Sequence, residues 1–284
     1  MKQDQPRPNS STSVAANQRV HSRLASVYNE AEPHFRPENR AKVRKRLEGL
    51  AAMAPTTERL LDVGCGTGFL LSLVHDLFTN VDGVDATPAM LERVDLTPGN
   101  ITVREGLAEH LPFDDGIMDM VTAYSFLDHL ADHQPVLSEM RRVLRPGGLV
   151  YVDLIPNRLF WDAIYAASNA PRRPFDGTVE REINELVNHE EKLQKEFGID
   201  PQDWRDAEPA KSGAKGFEPE NLLADFACAG FSASVHFEWF LGQAKVHHGT
   251  SLEAATLIDD HLRSLLPVSA PLFKYLYVVG TAND

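Results

Sequence analysis

Three glycines and one aspartate carry the clearest chemical potential in this chain. Gly64, Gly66 and Gly68 sit in the run Leu60-Leu61-Asp62-Val63-Gly64-Cys65-Gly66-Thr67-Gly68. Glycine permits a tight turn and lets a ligand come close to the backbone. The run follows a short apolar stretch, Arg59–Val63, and precedes an apolar-rich segment, Phe69–Leu77, so it reads as the turn between a first strand and a helix. The helix start beyond it offers free N–H groups and favours negative charge. Asp85 follows Gly64 by 21 residues, at the end of a second predicted strand, Val81–Asp85. A carboxylate placed there can accept hydrogen bonds from a ribose diol. The pattern therefore points to a nucleoside-bearing ligand. A dinucleotide fingerprint needs glycine at position 69, where this chain has Phe69, which argues against a nicotinamide dehydrogenase.

These residues need a scaffold that brings a strand end, a turn and a helix start together, and the flanking sequence supplies one. Ile101–Glu105, Met118–Tyr124 and Leu149–Leu154 read as further strands. Thr87 as N-cap with Pro88 at the first position marks a helix start. Pro135–Leu144 reads as a helix closed by Pro146-Gly147-Gly148. Strands alternating with helices predict a parallel sheet covered on both faces. The regularity stops over residues 156–216, where Val179, Ile183, Leu186, Val187 and Leu193 mark one side of an amphipathic helix. A segment of that length is an insertion rather than a loop. The pattern then resumes with a helix from Pro219 to Cys228, a strand from Phe231 to Phe240, a helix from Ser251 to Leu266 and a strand from Phe273 to Gly280. Ahead of the first strand, residues 21–53 read as helical, with Val43, Leu47 and Leu50 as an apolar stripe and a basic run at 36–46 read as a solvated face. Residues 1–20, rich in Pro, Ser, Asn and Gln, read as a disordered tail.

The run Leu60–Gly68 resembles motif I of the class I S-adenosylmethionine-dependent methyltransferases. Three later segments agree in order and spacing: Val84-Asp85-Ala86-Thr87-Pro88-Ala89-Met90-Leu91, Gly106-Leu107-Ala108-Glu109-His110-Leu111-Pro112-Phe113, and Leu144-Arg145-Pro146-Gly147-Gly148. The resemblance covers about residues 59–155 and is specific in combination. It implies an α/β fold, a doubly wound, mostly parallel seven-stranded sheet with helical cap insertions. It implies S-adenosyl-L-methionine as cofactor, S-adenosyl-L-homocysteine as product, and in-line methyl transfer to an oxygen, nitrogen or carbon of a small molecule. Asp62, Gly64, Cys65, Gly66 and Gly68 would surround the methionine and ribose part, and Asp85 would bind the ribose hydroxyls. Ala86 and Met90 would line the adenine pocket, with Leu107, Ala108 and Glu109 along its other edge. Leu107 stands where the family often has an acidic or amide residue, leaving adenine to backbone groups at Leu107 and Ala108. Tyr124 and Ser125 would approach the methionine end. By the same resemblance, residues 21–58 would form a helical lid, 59–155 the cofactor-binding half, 156–216 a cap insertion, and 217–284 the part that completes the sheet.

A sulfonium is an activated methyl donor, so positioning supplies much of the acceleration, and a base is needed only for a protonated acceptor. His129, just beyond the fourth strand, is the leading candidate base, with Tyr28 beside it and His34 as a further candidate. Simple packing is the competing reading for each, and a loop-exposed carboxylate is the reading for Asp128. The cap aromatics Phe160, Trp161, Tyr165, Phe175, Phe197 and Trp204 fit either an aromatic acceptor pocket or a packed cap. His236, His247, His248 and His261 lack metal-ligand spacing, and no metal is expected.

Composition narrows the partners. Against 28 Lys and Arg stand 41 Asp and Glu, a net charge of −13, which argues against nucleic acid. Only the basic run at 36–46 supports an RNA or protein methyltransferase, and a non-catalytic binding module remains the alternative from another class. Two cysteines, no apolar stretch of membrane length and no secretory h-region lead us to expect a cytoplasmic monomer or homodimer acting on a small-molecule acceptor, with no membrane partner.

Overall fold

The computed structural model describes residues 8–169, 177–212, 216–243 and 251–284. Seven strands form one sheet: β1 (Arg59–Val63), β2 (Asn80–Asp85), β3 (Ile101–Glu105), β4 (Met118–Tyr124), β5 (Leu144–Pro156), β6 (Phe231–Phe240) and β7 (Phe273–Ala282). Their order is β3-β2-β1-β4-β5-β7-β6, and β7 runs antiparallel to both β5 and β6. This is the doubly wound, mostly parallel seven-stranded sheet that the resemblance implies, with the parallel strands that the strand–helix alternation predicts. The direction of winding reverses between β1 and β4, which pair through Leu61 and Val121. A crevice opens beyond the carboxyl ends of strands at such a reversal. Every residue of β4 is buried, as expected for a strand covered on both faces.

The two faces carry separate apolar layers. On one, α3 (Pro37–Ala51) lays Val43, Leu47 and Leu50 against Leu60, Met120 and Leu149. On the other, α6 (Gln134–Val143) and α11 (Pro219–Cys228) pack Leu137, Met140, Leu222 and Phe226 onto Val121, Val150 and Val278. The predicted helix at 69–77 contracts to one turn, α4 (Leu71–Val74), bracketed by three-residue turns such as Leu73 N to Leu70 O. The Leu144–Gly148 segment belongs to β5 rather than closing α6. Met118 pairs with Leu144 but Met120 with Leu149, so the intervening residues bulge out of the ladder.

Three sequence readings change at the amino-terminal end. The expected tail over 1–20 is helical from Ser10, in α1 (Ser10–Leu24). Asn9 caps it by accepting from Thr12 N at 2.9 Å, and Ala16, Val20 and Leu24 bury one face against Leu193, Ile199 and Ala207. This i, i+4, i+8 stripe outweighs the polar composition. Further on, Pro33 and Pro37 divide the predicted helical stretch into α2 (Tyr28–Ala31), a tight turn at Pro33–Phe35, and α3. Within the basic run Arg36 and Lys45 are exposed, as a solvated face predicts, but three of its cations are paired. Arg44 pairs with Asp76, Lys42 with Glu238 at 2.5 Å, and Arg46 with Asp153 at 2.8 Å and Glu238 at 3.0 Å. These cations neutralise the protein's own acids instead of presenting a surface for phosphate.

The insertion folds into α7 (Arg158–Ser168), α8 (Thr178–Phe197), α9 (Pro201–Ala207) and α10 (Pro209–Ser212). Ile183 packs with Phe160 and Ile164, while Leu193 faces α1. The side chains of Leu186 and Val187 lie outside the described residues, as does Phe175. α5 (Pro88–Leu91) follows β2, and α12 (Leu252–Ser264) precedes β7. No helix among the described residues is long and apolar enough to cross a membrane.

Candidate functional site

The glycine turn is held in place from below by β2. Gly64 N and Cys65 N both donate to Val84 O, at 2.8 and 3.1 Å. Gly64 has φ of 70°, and a Cβ built on it would lie 2.2 Å from a ring carbon of Phe126. Gly64→Ala is therefore expected to destabilise the fold by about 2–3 kcal/mol through strain and displacement of Phe126, seen as a lowered urea midpoint at unchanged slope. Gly83 in β2 serves the same region. A Cβ there would meet Cys65 Sγ at 2.8 Å, so glycine leaves the room in which Cys65 is buried.

Asp85 closes the turn. Its Oδ2 accepts from Gly66 N and its Oδ1 from Thr87 N, both at 2.8 Å. Thr87 itself makes no side-chain cap, so Asp85 rather than Thr87 orders the start of α5. Burial raises the Asp85 carboxyl above its ordinary range, and the two amides counteract this. Asp62, at the end of β1, accepts from Thr122 Oγ1 at 2.8 Å. Burial, with the nearby Asp85 charge, pushes Asp62 up to about 8.

One cavity, partly open to solvent, joins these groups. It is lined by Asp62, Gly64, Cys65, Asp85, Ala86, Met90, Leu107, Ala108, Glu109, Tyr124 and Ser125, and also by Tyr28, His34 and His129. Gly66 and Gly68 shape the turn without lining the cavity. Leu107 stands at the rim, 41% exposed, while Ala108 is buried. Ser125 takes the left-handed conformation, φ 51°, and its N–H donates to Asp153 O, which fixes the chain as it leaves β4.

The other end of the cavity is closed from above. Val14, Asn17 and His21 of α1 line it together with Phe126 and Leu130. Gln18 Nε2 donates to Ala86 O at 2.6 Å, and Thr67 Oγ1 donates to Asn29 Oδ1 at 2.6 Å, so the amino-terminal segment is tied to both sides of the turn. These α1 residues are absent from the sequence reading because a polar composition masked the helix. The stripe Ala16, Val20, Leu24 behind an Asn9 cap was the signal that could have found them. The cap aromatics take the packed role: Phe160 and Trp161 pack with each other, and Phe197 and Trp204 pack against α1.

Two histidines face each other here, with ring centroids 5.1 Å apart and planes nearly perpendicular. His129 Nδ1 lies 3.0 Å from Ala207 O, and His21 Nδ1 lies 3.1 Å from Asn17 O. A carbonyl only accepts, so each Nδ1 carries the hydrogen, and in the neutral ring Nε2 keeps its lone pair. Burial, with His129 adding, lowers His21 to about 3, and burial alone lowers His34 to about 3. Burial raises the Tyr28 phenol well above its ordinary value, so it keeps its proton. Beneath His129, Asp128 is fully buried rather than loop-exposed. Its Oδ2 pairs with Lys211 Nζ at 2.5 Å, and Glu208 Oε1 meets the same ammonium at 3.2 Å. Donor atoms of Asp128, His129 and Glu208 lie within 4.8 Å of one another, and Lys211 supplies the positive charge among them. Of the C-terminal histidines, His236 stacks on Tyr277, and His247 and His248 lie outside the described residues.

The profile of a family described as a methyltransferase domain matches residues 61–152. A demethylmenaquinone methyltransferase of Chlorobaculum tepidum is 34% identical over 127 residues, 44% of this chain and 50% of that protein. A ubiquinone biosynthesis O-methyltransferase of Pectobacterium atrosepticum is 29% identical over 143 residues, 46% of this chain and 57% of that protein. The chain thus spans about half the length of the curated relatives it matches. A geranyl diphosphate C-methyltransferase from Streptomyces coelicolor A3(2), solved with Mg2+, geranyl diphosphate and S-adenosyl-L-homocysteine, superposes with a TM-score of 0.52. It is 15% identical, and the match covers 86% of this chain and 80% of that one, a likeness of fold.

Proposed function

Because residues 61–152 are a class I S-adenosylmethionine-dependent methyltransferase domain, we propose that the chain transfers a methyl group from S-adenosyl-L-methionine to a small-molecule acceptor. The observation that carries this reading is Asp85. Its carboxylate lines the cavity at the end of β2 and is locked to Gly66 N of the glycine turn. Each oxygen keeps a further lone pair for a ribose hydroxyl. Met90 and Ala86 offer an apolar slot for adenine beside it, with backbone groups at Leu107 and Ala108 on the far edge. Asp62 lies deeper, where its carboxylate would hold the methionine ammonium. Because burial raises this carboxyl, ammonium binding is expected to release a proton at neutral pH. The bound cofactor supplies an electrophilic methyl on a sulfonium. Tyr124 and Ser125 would wall the methionine end, and the α1 side of the cavity would receive the acceptor. His129 would take the acceptor's proton through Nε2, the nitrogen left basic by the Ala207 hydrogen bond. Tyr28, held neutral, would donate or accept a hydrogen bond and would not act as the base.

The test is binding of S-adenosyl-L-homocysteine. At a hundred times its Kd it should add about 2.7 kcal/mol of stability and raise Tm by roughly 5 °C or more. The absence of both a thermal shift and calorimetric binding at saturating ligand removes the reading.

A further inference from the structure

Among the described residues, three other than glycine take the left-handed backbone: Ser125 (φ 51°), Leu154 (φ 54°) and Trp239 (φ 60°). That conformation is costly for a residue with a Cβ and persists where its surroundings over-determine it. The three lie far apart in sequence, yet one arginine connects them. Arg46 of α3 donates from Nη1 to Asp153 Oδ2 at 2.8 Å and to Glu238 Oε2 at 3.0 Å, and from Nη2 to Glu238 Oε1 at 3.2 Å. Leu154 follows Asp153 in β5, and Trp239 follows Glu238 in β6. Ser125 is joined to the same place, since its N–H donates to Asp153 O at 3.0 Å.

Asp153 and Glu238 are both buried. Asp153 Oδ2 also accepts from the Tyr151 hydroxyl, and its Oδ1 accepts from Leu154 N at 2.6 Å. β5 carries one extra residue here against β7, because Val152 pairs with Val278 but Ile155 with Leu276. The carboxylate therefore clamps the bulge, and the guanidinium fixes the carboxylate. The guanidinium is itself seated on the Tyr277 ring, 3.7 Å from its centre. None of Arg46, Asp153 and Glu238 lines the cavity. Tyr124 and Ser125 do, and Tyr124 pairs with Asp153 across the β4–β5 ladder. One ladder pair and one hydrogen bond thus pass the arginine's hold on Asp153 to the exit of β4.

We propose, resting on the methyltransferase reading, that Arg46 is a positioning residue for the methionine end of the cofactor. By holding Asp153 it sets the backbone of Tyr124 and Ser125 against that end. The nucleoside end rests on Asp85 of β2 and on Ala86 and Met90 beyond it, and β1 and β4 stand between β2 and β5. The two ends therefore answer differently when the arginine is changed.

Arg46→Lys tests this. Lysine keeps the charge, but a single ammonium lacks the fork that reaches both acids. The probes are S-adenosyl-L-homocysteine and 5′-methylthioadenosine, which keeps adenine, ribose and sulfur and lacks the amino-acid part. In calorimetric titrations the variant should bind S-adenosyl-L-homocysteine about 10-fold more weakly than the wild type and 5′-methylthioadenosine within about twofold of it. Lost stability alone scales both affinities by the same folded fraction and leaves their ratio unchanged. Arg46→Met combined with Asp153→Asn and Glu238→Gln removes the clamp without stranding a buried acid, and should move the ratio in the same sense. A ratio unchanged in the variants that fold overturns the proposal. Failure of both variants to fold also overturns it, because Arg46 is then a requirement of the fold alone. A wild type that binds S-adenosyl-L-homocysteine but no 5′-methylthioadenosine at millimolar concentration overturns it too, since the nucleoside end then has no hold of its own. In each of these cases the methyltransferase reading stands. If the wild type binds neither probe, both fall.

Discussion

Asp85→Ala is expected to weaken S-adenosyl-L-homocysteine binding by about 100-fold or more while leaving the protein folded. The loss follows from two hydrogen bonds between a buried carboxylate and a ribose diol, each contributing about 1.5–3 kcal/mol when one partner is charged. The small effect on folding follows from two opposing consequences. Alanine removes the acceptor for Gly66 N and Thr87 N, which loosens the turn and the start of α5. It also removes a carboxyl that burial holds above its ordinary range, a group whose desolvation disfavours the folded state at neutral pH. Asp85→Asn separates the two contributions, since its amide oxygen still serves one backbone donor without the charge. Calorimetric Kd values with urea midpoints on the same preparations decide the matter. An unchanged Kd in the alanine variant removes Asp85 from the ribose, and a loss of affinity that merely tracks loss of fold removes the argument.

What could be read without coordinates was the part of the chain in which local signals and tertiary position coincide. The strand β4 is apolar at nearly every position because both its faces are covered, so its burial is written in its composition. The glycine turn is legible for the same reason: Gly64 is constrained by Phe126 and by its own left-handed backbone, and both constraints demand glycine. The residues missed or misread depend on partners distant in the chain. α8 and α9, far along the chain, give α1 the surface on which Val20 is buried. Arg46 looks like any surface arginine until β5 and β6 bring Asp153 and Glu238 to it. Asp128 looks like a loop carboxylate until the cap delivers Lys211. In the site this divides the cavity in two. The end formed by β1, β2 and the turn is local in sequence, so its residues are legible in their spacing. The end that would choose the acceptor is assembled by α1 and the cap, where only Tyr28, His34 and His129 had been singled out.

Lys211→Met is expected to destabilise the protein by about 3 kcal/mol at pH 8 and by much less at pH 5. Removing one partner of a buried ion pair leaves an uncompensated charge and costs about 3–5 kcal/mol; the lower end applies because the Lys211 side chain keeps 28% of its surface exposed. The pH dependence has a definite sign. In the native protein, burial would raise Asp128, but Lys211 and then His129 hold it below its ordinary value. A carboxyl depressed by folding contributes stability above its unfolded pKa and loses it as the pH falls. Without Lys211, burial dominates at Asp128 and acts unopposed by that ammonium at Glu208, which is raised already. A raised carboxyl binds its proton in the folded state, so the variant loses stability as the pH rises through the unfolded value. The gap between the two proteins therefore widens from pH 5 to pH 8. Urea melts at both values measure it, and Lys211→Met combined with Asp128→Asn should recover part of the loss at pH 8. A gap that is equal at the two pH values, or absent, contradicts the ion-pair account. The consequence extends to His129. Lys211 and Ala207 belong to one short stretch of the cap, and they hold Asp128 and His129, neighbours on one turn. A cap unseated by the loss of Lys211 also releases the hydrogen bond that keeps Nδ1 protonated. The variant should then lose turnover by more than it loses affinity for S-adenosyl-L-homocysteine, because the cofactor end rests on β1, β2 and the turn and not on the cap.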